Sequence, residues 1–422
     1  SEPEPIATEQ TPPKASDTRP RVIAARMPRV EPGDASQMRP LVGGLNGFAL
    51  DLYRSALEGQ DGNLIYSPYS IALAFSMVYA GARGDTEAQM ADVLGFLPQE
   101  SHHPAANALE RHLATLGAET PRTSEEQGEP FELRDANAVW GQREFPFEEA
   151  YLETLAEHYG AGVRTVDLAA EPEAARRAVN SWVEDQTKGR IPDILPKGAI
   201  DQLTRLVLAN AIYFKAGWLY PFEEGGTQDS SFTLLDGKEV TVPMMRQDVE
   251  AVPYAEGDDY QAVVQPYVGG TTEMMVIAPE SGRFEQVEAA LSADFLKRVR
   301  ARADRNAATV SMPRFEVESE LDLVSLLPGM GMQDAFEPGM ADFSGIVKGI
   351  DLFISAAIHR ATVWVDEEGT EATAATVVVI SEESASVEPP PHVTVDRPFI
   401  FAIVERETGA ILFLGRVTNP VG

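Results

Sequence analysis

Six histidines and one run of alternating glutamates are the side chains of this sequence best suited to moving protons. His102 and His103 are adjacent, while His112, His158, His359 and His392 stand alone. The adjacent pair reads as a surface turn and needs no metal to explain it. Glu316, Glu318 and Glu320 recur at every second position. Paired carboxylates can serve as general acid and base, but the same spacing suits the solvated end of a strand, and that reading is the stronger. Gly329-Met330-Gly331 lacks the third glycine of a dinucleotide loop and reads as a turn after a helix. There is no Gly-x-Ser-x-Gly elbow and no His-Glu-x-x-His pair. Cysteine is absent, which removes disulfide scaffolds, thiol nucleophiles and thiolate metal sites together. No catalytic set, metal site or cofactor is expected.

A different chemistry is suggested downstream of Gly369. From Thr370 to Ile380 the chain holds no proline, no aromatic residue and a single charge, Glu371. The period is two, so Thr370, Ala372, Ala374, Thr376, Val378 and Ile380 share one face and Glu371 lies on the other. Small uncharged residues cost little to bury, whereas an inward charge would cost several kcal/mol. The segment is either an ordinary strand with permanent partners or a strand able to enter a sheet and pair on both edges. Ser381 to Pro391 is polar, then proline-rich, and is expected to be exposed.

The elements that would position these residues form a mixed set. Leu45, Phe48, Ala49, Leu52, Tyr53 and Ala56 recur at helical spacing. Ser67 can cap a helix beginning at Pro68 and ending at Gly81. Thr86 and Gln89 have the spacing of a capping box for the next helix. Further helical stretches are read at Pro146–His158, Ala174–Gln186, Phe284–Arg300 and Leu321–Leu327. Strands are read at Ala138–Trp140, Arg205–Phe214, Gln261–Pro266, Glu273–Ala278 and Thr309–Pro313, with a closing hairpin of Pro398–Val404 and Ala410–Gly415. No repeat and no βαβ rhythm is present, so the fold class is α+β. Residues 1–42 read as a disordered tail rich in Pro and Glu, and residues 43–422 as one domain.

Composition narrows the partners. The net charge of -32 argues against nucleic acid, which needs clustered Lys and Arg, and against an anionic membrane surface. No apolar run is long enough for a membrane helix. The first residue is Ser1 and no charged-then-apolar signal segment is present, so a processed or trimmed start and a secreted or periplasmic location are expected.

Several blocks, in order and at consistent spacing, resemble the serpin family. They are Asn63-Leu64-Ile65-Tyr66-Ser67-Pro68-Tyr69-Ser70-Ile71, Ala80-Gly81 through Thr86, and Val179-Asn180-Ser181-Trp182-Val183 with Thr187 through Ile191. Leu208-Ala209-Asn210 through Lys215, Trp218 with Pro221-Phe222, Asp366 through Ala372, Arg397-Pro398-Phe399 and Phe413 through Val417 follow. The resemblance runs from about Leu45 to the end of the chain. It implies the serpin fold, three β-sheets with about nine helices and an exposed reactive-centre loop at about 367–397. It also implies suicide inhibition of a serine protease. The protease cuts the loop, is held as a covalent acyl complex, and is dragged off as the loop enters the central sheet. Around ten new backbone bonds at ~1 kcal/mol each would drive that entry.

The resemblance also implies site residues. The hinge comprises Glu367, Gly369, Thr370, Ala372, Ala374, Ala375 and Thr376, with Thr373 in place of a more usual alanine. Counting from Glu367 places the reactive bond at Glu383-Ser384, which suits a protease that accepts glutamate. The stretch to Pro398 is about four residues longer than is common, so Val387 is a second candidate; cleavage after Val379 or Ile380 would suit elastase-like or subtilisin-like enzymes. Ser67, Ser70, Asn210 and His359 are expected to form a polar shutter beneath the sheet. Arg314 and Glu367 are expected to pair near Trp218 at the breach above it, as an exposed pair worth about 0–1 kcal/mol. No basic helix face for a heparin-like activator is present, and a monomer is expected. A non-inhibitory serpin with a carrier, chaperone or storage role is the alternative.

Overall fold

The computed structural model describes residues 19–32, 38–119, 131–370 and 390–421. Its strands are β1 (Arg21–Ile23), β2 (Leu64–Tyr66), β3 (Glu132–Gln142), β4 (Val163–Val166), β5 (Leu206–Gly217), β6 (Gln228–Thr233), β7 (Glu239–Glu256) and β8 (Tyr260–Pro266). They continue as β9 (Thr272–Pro279), β10 (Ala307–Pro313), β11 (Phe315–Asp322), β12 (Ile354–Val365), β13 (Gly369–Thr370), β14 (His392–Thr394), β15 (Phe399–Glu405) and β16 (Ile411–Val417). The α-helices are α1 (Met38–Ala56), α2 (Pro68–Tyr79), α3 (Gly84–Leu94), α4 (Gln99–Glu119), α5 (Glu149–Thr154), α6 (Pro172–Gln186), α7 (Phe284–Ala289), α8 (Ala293–Ala303) and α9 (Leu323–Met330).

The central sheet runs β1-β4-β3-β5-β13-β12-β11. Its middle strand, β5, is buried on both faces and sorts its side chains by parity. Leu206, Leu208, Ile212, Phe214 and Ala216 join the main core with α1, α2 and the second sheet. Val207, Ala209 and Ala211 join a smaller core closed by Ala175, Val179 and Val183 of α6. Helix α2 is buried all round, because it lies between the central sheet and β16. Ser67 caps it through a bond from the Ser70 N–H, and Pro68 occupies its first turn.

The second sheet runs β14-β10-β7-β8-β9-β15-β16-β2, with β6 on β7. Strand β7 serves two sheets. Its first part pairs with β6 and β10, and its end, Tyr254–Glu256, pairs with β8. Counting β7 in both halves divides the sixteen strands into three sheets. Gly415 allows β16 to lie close on β2, since a Cβ there would stand 2.4 Å from the Leu64 carbonyl.

Four sequence expectations change. Part of the stretch read as tail is structured, because Arg21–Ile23 pairs antiparallel with Val163–Thr165 and α1 starts at Met38. A three-residue strand ahead of a polar stretch carries too little periodicity to be read. Thr86 does not cap α3; the helix starts two residues earlier, and the Thr86 hydroxyl accepts the Asp342 N–H instead. The long helix read over 284–300 is two helices, the second capped by Ser292. His102 and His103 lie inside α4 and are buried, not on a surface turn.

Candidate functional site

Strands β5 and β12 run parallel and pair from Leu206↔Ile354 to Ile212↔Ala361. Beyond that point β13 lies between them. Gly369 pairs with Gly217, and Thr370 pairs with Ala216 on one side and Val365 on the other. The sheet is thus closed at its lower half and holds two residues of an antiparallel strand at its upper end. Thr370 is fully buried, and its hydroxyl meets the Tyr267 OH at 2.8 Å. At Gly369 a Cβ would sit 2.2 Å from the Ala216 carbonyl oxygen, so only glycine permits this approach.

A clasp fixes the chain just before this point. Arg314 donates to Glu367 through Nε at 2.7 and 2.9 Å and through Nη2, and the Thr227 hydroxyl also donates to Glu367. Burial would raise the Glu367 carboxyl, but the Arg314 and Thr227 bonds outweigh it and hold the group below its usual range. The backbone is held as well. Trp218 N–H donates to the Glu368 carbonyl, Phe222 N–H to the Glu367 carbonyl, and the Trp218 indole to the Asp366 carbonyl at 3.0 Å. Trp218 in turn stacks on Tyr267 with centroids 4.5 Å apart. Glu367 is only 4% exposed while the Arg314 side chain is nearly half exposed, so the pair expected at the surface is buried at its acid end. Removing one partner of such a pair leaves a buried charge, which costs more than a rim contact.

Below the gap lies a second polar cluster. The His359 Nε2 accepts the Ser67 N–H at 3.0 Å, which makes the ring neutral with its proton on Nδ1, and that proton goes to Asn210 Oδ1. Burial pushes the His359 imidazole down to about 3. Asn210 Nδ2 reaches the Ser70 carbonyl at 2.8 Å, the Ser70 hydroxyl at 2.7 Å, and Asn137 Oδ1. Asn137 Nδ2 donates to Asp135 at 3.2 Å. Asn210 and His359 face each other across the β5–β12 pairing, so the bond between them crosses the line along which the sheet would open.

The structure therefore brings Ser67, Ser70, Asn210 and His359 into one hydrogen-bonded chain, and Trp218, Arg314 and Glu367 into another. Ala372, Ala374, Ala375, Thr376, Glu383 and Ser384 lie outside the described residues, as do Val379, Ile380 and Val387. Reading the sequence missed Asn137, Asp135, Thr227 and Tyr267. The alternation Leu133, Asp135, Asn137, Val139 would have placed two polar residues on a core-facing row, had β3 been read at its full length. Glu316, Glu318 and Glu320 are exposed on the outer strand β11, opposite Trp364, Thr362 and Arg360. Among the described residues no group of three or more His, Asp or Glu is placed to hold a metal ion.

A central sheet closed below and part-filled above by β13, with a polar cluster at each level, sets the class of this fold. Comparison with known proteins gives this class a family. The sequence model of the family described as "Serpin (serine protease inhibitor)" matches residues 44–420. An uncharacterized serpin-like protein of Thermococcus kodakarensis is 40% identical over 385 residues, covering 91% of this chain and 87% of that protein. The leukocyte elastase inhibitor of Equus caballus is 37% identical over 383 residues, covering 88% and 97% respectively. The crystal structure of tengpin, a thermophilic serpin in its native state, superposes with a TM-score of 0.79 at 26% identity, covering 95% of this chain and all of that one. The chain belongs to the serpin family, and it has the serpin fold.

Proposed function

We propose that this protein inhibits a serine-type protease by serving as a single-use substrate, and that it is not itself an enzyme. The observation that carries the reading is the seating of Gly369 and Thr370 between β5 and β12, in register with both. Extending that register one residue at a time gives the path of the segment that follows. Ala372 would stand opposite Phe214, Thr376 between Asn210 and His359, and Ile380 beside Leu206 at the start of β5. The uncharged set Ala372, Ala374, Thr376, Val378 and Ile380 would then face the main core with Thr370, while Glu371 would face outward near Lys215. The run from Glu371 to Ile380 thus matches the length of sheet available to it. The parallel β5–β12 bonds are lost and replaced by bonds on both edges of the new strand, a net gain of around ten bonds at ~1 kcal/mol each.

In this reading a protease is acylated at Glu383 and leaves as the new strand forms, before water completes hydrolysis. Glutamate before the bond favours an enzyme with a basic primary pocket; cleavage at Val379, Ile380 or Val387 favours an elastase-like or subtilisin-like one. The test is to mix the protein with a glutamate-specific serine protease and, separately, an elastase-like one, and to separate the products under denaturing conditions. A covalent complex is expected, and the mass of the released C-terminal fragment locates the bond. If every protease only cuts the loop, and the cut protein melts no higher than the intact one, the trap fails and a carrier or storage role takes its place.

A further inference from the structure

His359 and Asn210 form a latch on the core-facing side of the central sheet. Successive residues of a strand point to opposite faces, so the residue after His359 on β12 points to the outer side. That residue is Arg360. Its Nη1 donates to the Pro192 carbonyl at 3.1 Å, and its Nε donates to Glu318 of β11 at 2.5 Å. Pro192 belongs to the segment that follows α6, and this segment is folded back onto the helix. Asn180 of α6 donates to Asp193 Oδ1 at 3.0 Å and accepts the Leu195 N–H at 2.8 Å, while Arg176 Nη1 donates to the Leu195 carbonyl at 2.8 Å. Ile191, Ile194 and Leu195 are buried in the smaller core with Val207, Ala209 and Ala211 of β5. Ala356 and Ile358 of β12 complete that core, so the segment lies over the line where β5 meets β12. Helix α6 itself packs on β3 and β5. The helix and its following segment are thus one unit seated on the β5 side, and Arg360 reaches it from β12.

We infer that Arg360 is a further positioning residue of the trap: its bond to Pro192 ties β12 to the α6 unit across the outer face, and a strand entering the sheet must break that bond. This inference rests on the proposed trapping function, to which it adds a second point of resistance. In the register set by Gly369 and Thr370, Ala375 would stand between Ala211 of β5 and Arg360 of β12. Admitting it moves β12 away from β5 by one strand spacing, about 4.8 Å. The bond to Pro192 has no such slack, since N–H···O bonds run only to about 3.2 Å. Arg360 cannot swing back after the α6 unit without giving up Glu318. Strand β11 carries Glu318 and stays with β12 through the pairing of Phe315–Asp322 with Ile358–Val365.

His359 and Arg360 therefore hold one line from its two faces, the first by bonding Asn210 of β5 and the second by bonding the unit seated on β5. Insertion treats the two differently. At the inner face Thr376 would bring a hydroxyl to the parted pair, whereas at the outer face Ala375 would bring only a methyl group, which leaves the Pro192 carbonyl to water. The bond of Arg360 to Pro192 thus belongs to the sheet before insertion and not to the sheet after it. An arginine that merely satisfied a surface carbonyl would contribute equally to both forms.

The experiment uses the full chain as parent, with Arg360→Ala, Arg360→Lys and the control Arg134→Gln. The control breaks the ion pair of Arg134 with Glu132, which lies on β3 and does not cross the β5–β12 line. The probe is a synthetic peptide with the sequence of residues 371–380, and its entry is followed by native gel shift. Arg360→Ala is expected to admit the peptide about tenfold faster than the parent, the rate equivalent of one hydrogen bond of about 1.4 kcal/mol lost before the barrier. Arg360→Lys keeps the charge on a single donor group in place of the fork and is expected between the two, while Arg134→Gln stays at the parent rate. Guanidinium unfolding of the intact and loop-cleaved forms gives a second readout. Arg360→Ala is expected to lower the midpoint of the intact form only, because in the cleaved form the bond is already broken. Equal entry into the parent and Arg360→Ala, or an equal loss of midpoint in both forms, overturns the proposal and leaves the trap intact. Entry into none of the four proteins, with no gain in midpoint on loop cleavage, sinks the trap and the proposal together; if cleavage does raise the midpoint, the comparison of the two forms decides.

Discussion

Acid should weaken this protein through a small set of buried histidines, and the size of the effect can be worked from their surroundings. Among the described residues His102 bonds to the Ser76 hydroxyl and His103 to the Tyr159 phenol, and His359 sits between Ser67 and Asn210. Burial lowers all three, His103 and His359 to about 3 and His102 well below its usual value. Their stabilising contribution is complete above the unfolded value of about 6.5 and is lost as the pH falls toward the folded values. At pH 4.5, two units below the unfolded value, His103 and His359 have each lost about 3 kcal/mol of that contribution. Between pH 6 and 4.5 His103 and His359 together bind about two more protons unfolded than folded, a slope near 3 kcal/mol per pH unit, and His102 acts in the same sense. Asp135 acts in the opposite sense, because its folded value is raised; it is protonated in the folded form and ionised in the unfolded one between about 4 and 7, which offsets one proton. The test compares urea unfolding of the parent and His359→Gln from pH 7.5 to 4.5. The variant starts about 1–3 kcal/mol less stable, because the Ser67 N–H loses its acceptor, but its slope should be shallower by about 1.4 kcal/mol per pH unit. Equal slopes would show that His359 is protonated in the folded protein, and the neutral-latch reasoning would be wrong.

Three further outcomes follow from the upper gap and the N-terminal segment. Thr370→Arg places a charge against Tyr267 at a fully buried position, and is expected to convert covalent trapping into plain cleavage, read as loss of the complex band with loop cutting retained. Arg314→Ala strips the buried Glu367 carboxylate of its main donor, and should lower stability by about 1–3 kcal/mol at pH 7 in a denaturant titration, with part of the loss recovered when acid protonates Glu367. Arg29→Ala removes the bonds that tie Arg29 to Glu110 and Asn107 of α4, and should release the segment 19–32 to limited proteolysis, measured by N-terminal mass.

Much of this architecture was readable where one period dominates. Strand β5 alternates between two cores, and α2 opens on a serine followed by proline, so both were legible within a few residues. The failures share a cause. Strand β12 carries His359 and Arg360 in its middle, and α4 carries His102, His103 and Pro104 in its first turns, so polar residues break the patterns that mark buried elements. Those polar residues are satisfied only by partners far along the chain, such as Asn210 for His359 and Tyr159 for His103. The site was legible in the same uneven way. Ser67, Ser70 and Asn210 stand in recognisable blocks, while His359 was expected only from the resemblance. Asp135 and Thr227 gain their roles only from neighbours that folding brings to them.

The two polar clusters sit at the two ends of one path, and that placement explains why a latch is needed at all. A strand entering from Thr370 would run beside β5 past Lys215 and Tyr213, where β5 is not paired with β12, and would then have to part Ile212 from Ala361 and next Asn210 from His359. The bond between Asn210 and His359 is therefore the first side-chain obstacle on the core-facing side of the path, met six residues after Thr370, at Thr376. A threonine there brings a hydroxyl that can donate and accept once the two side chains have been pushed apart. A valine of the same shape cannot, and would leave both buried groups without partners at about 1–3 kcal/mol. Thr376→Val should leave the melting temperature of the intact protein unchanged and lower that of the loop-cleaved protein by several degrees. Equal melting of the two cleaved forms would mean that the inserted strand stops short of the latch or enters in another register.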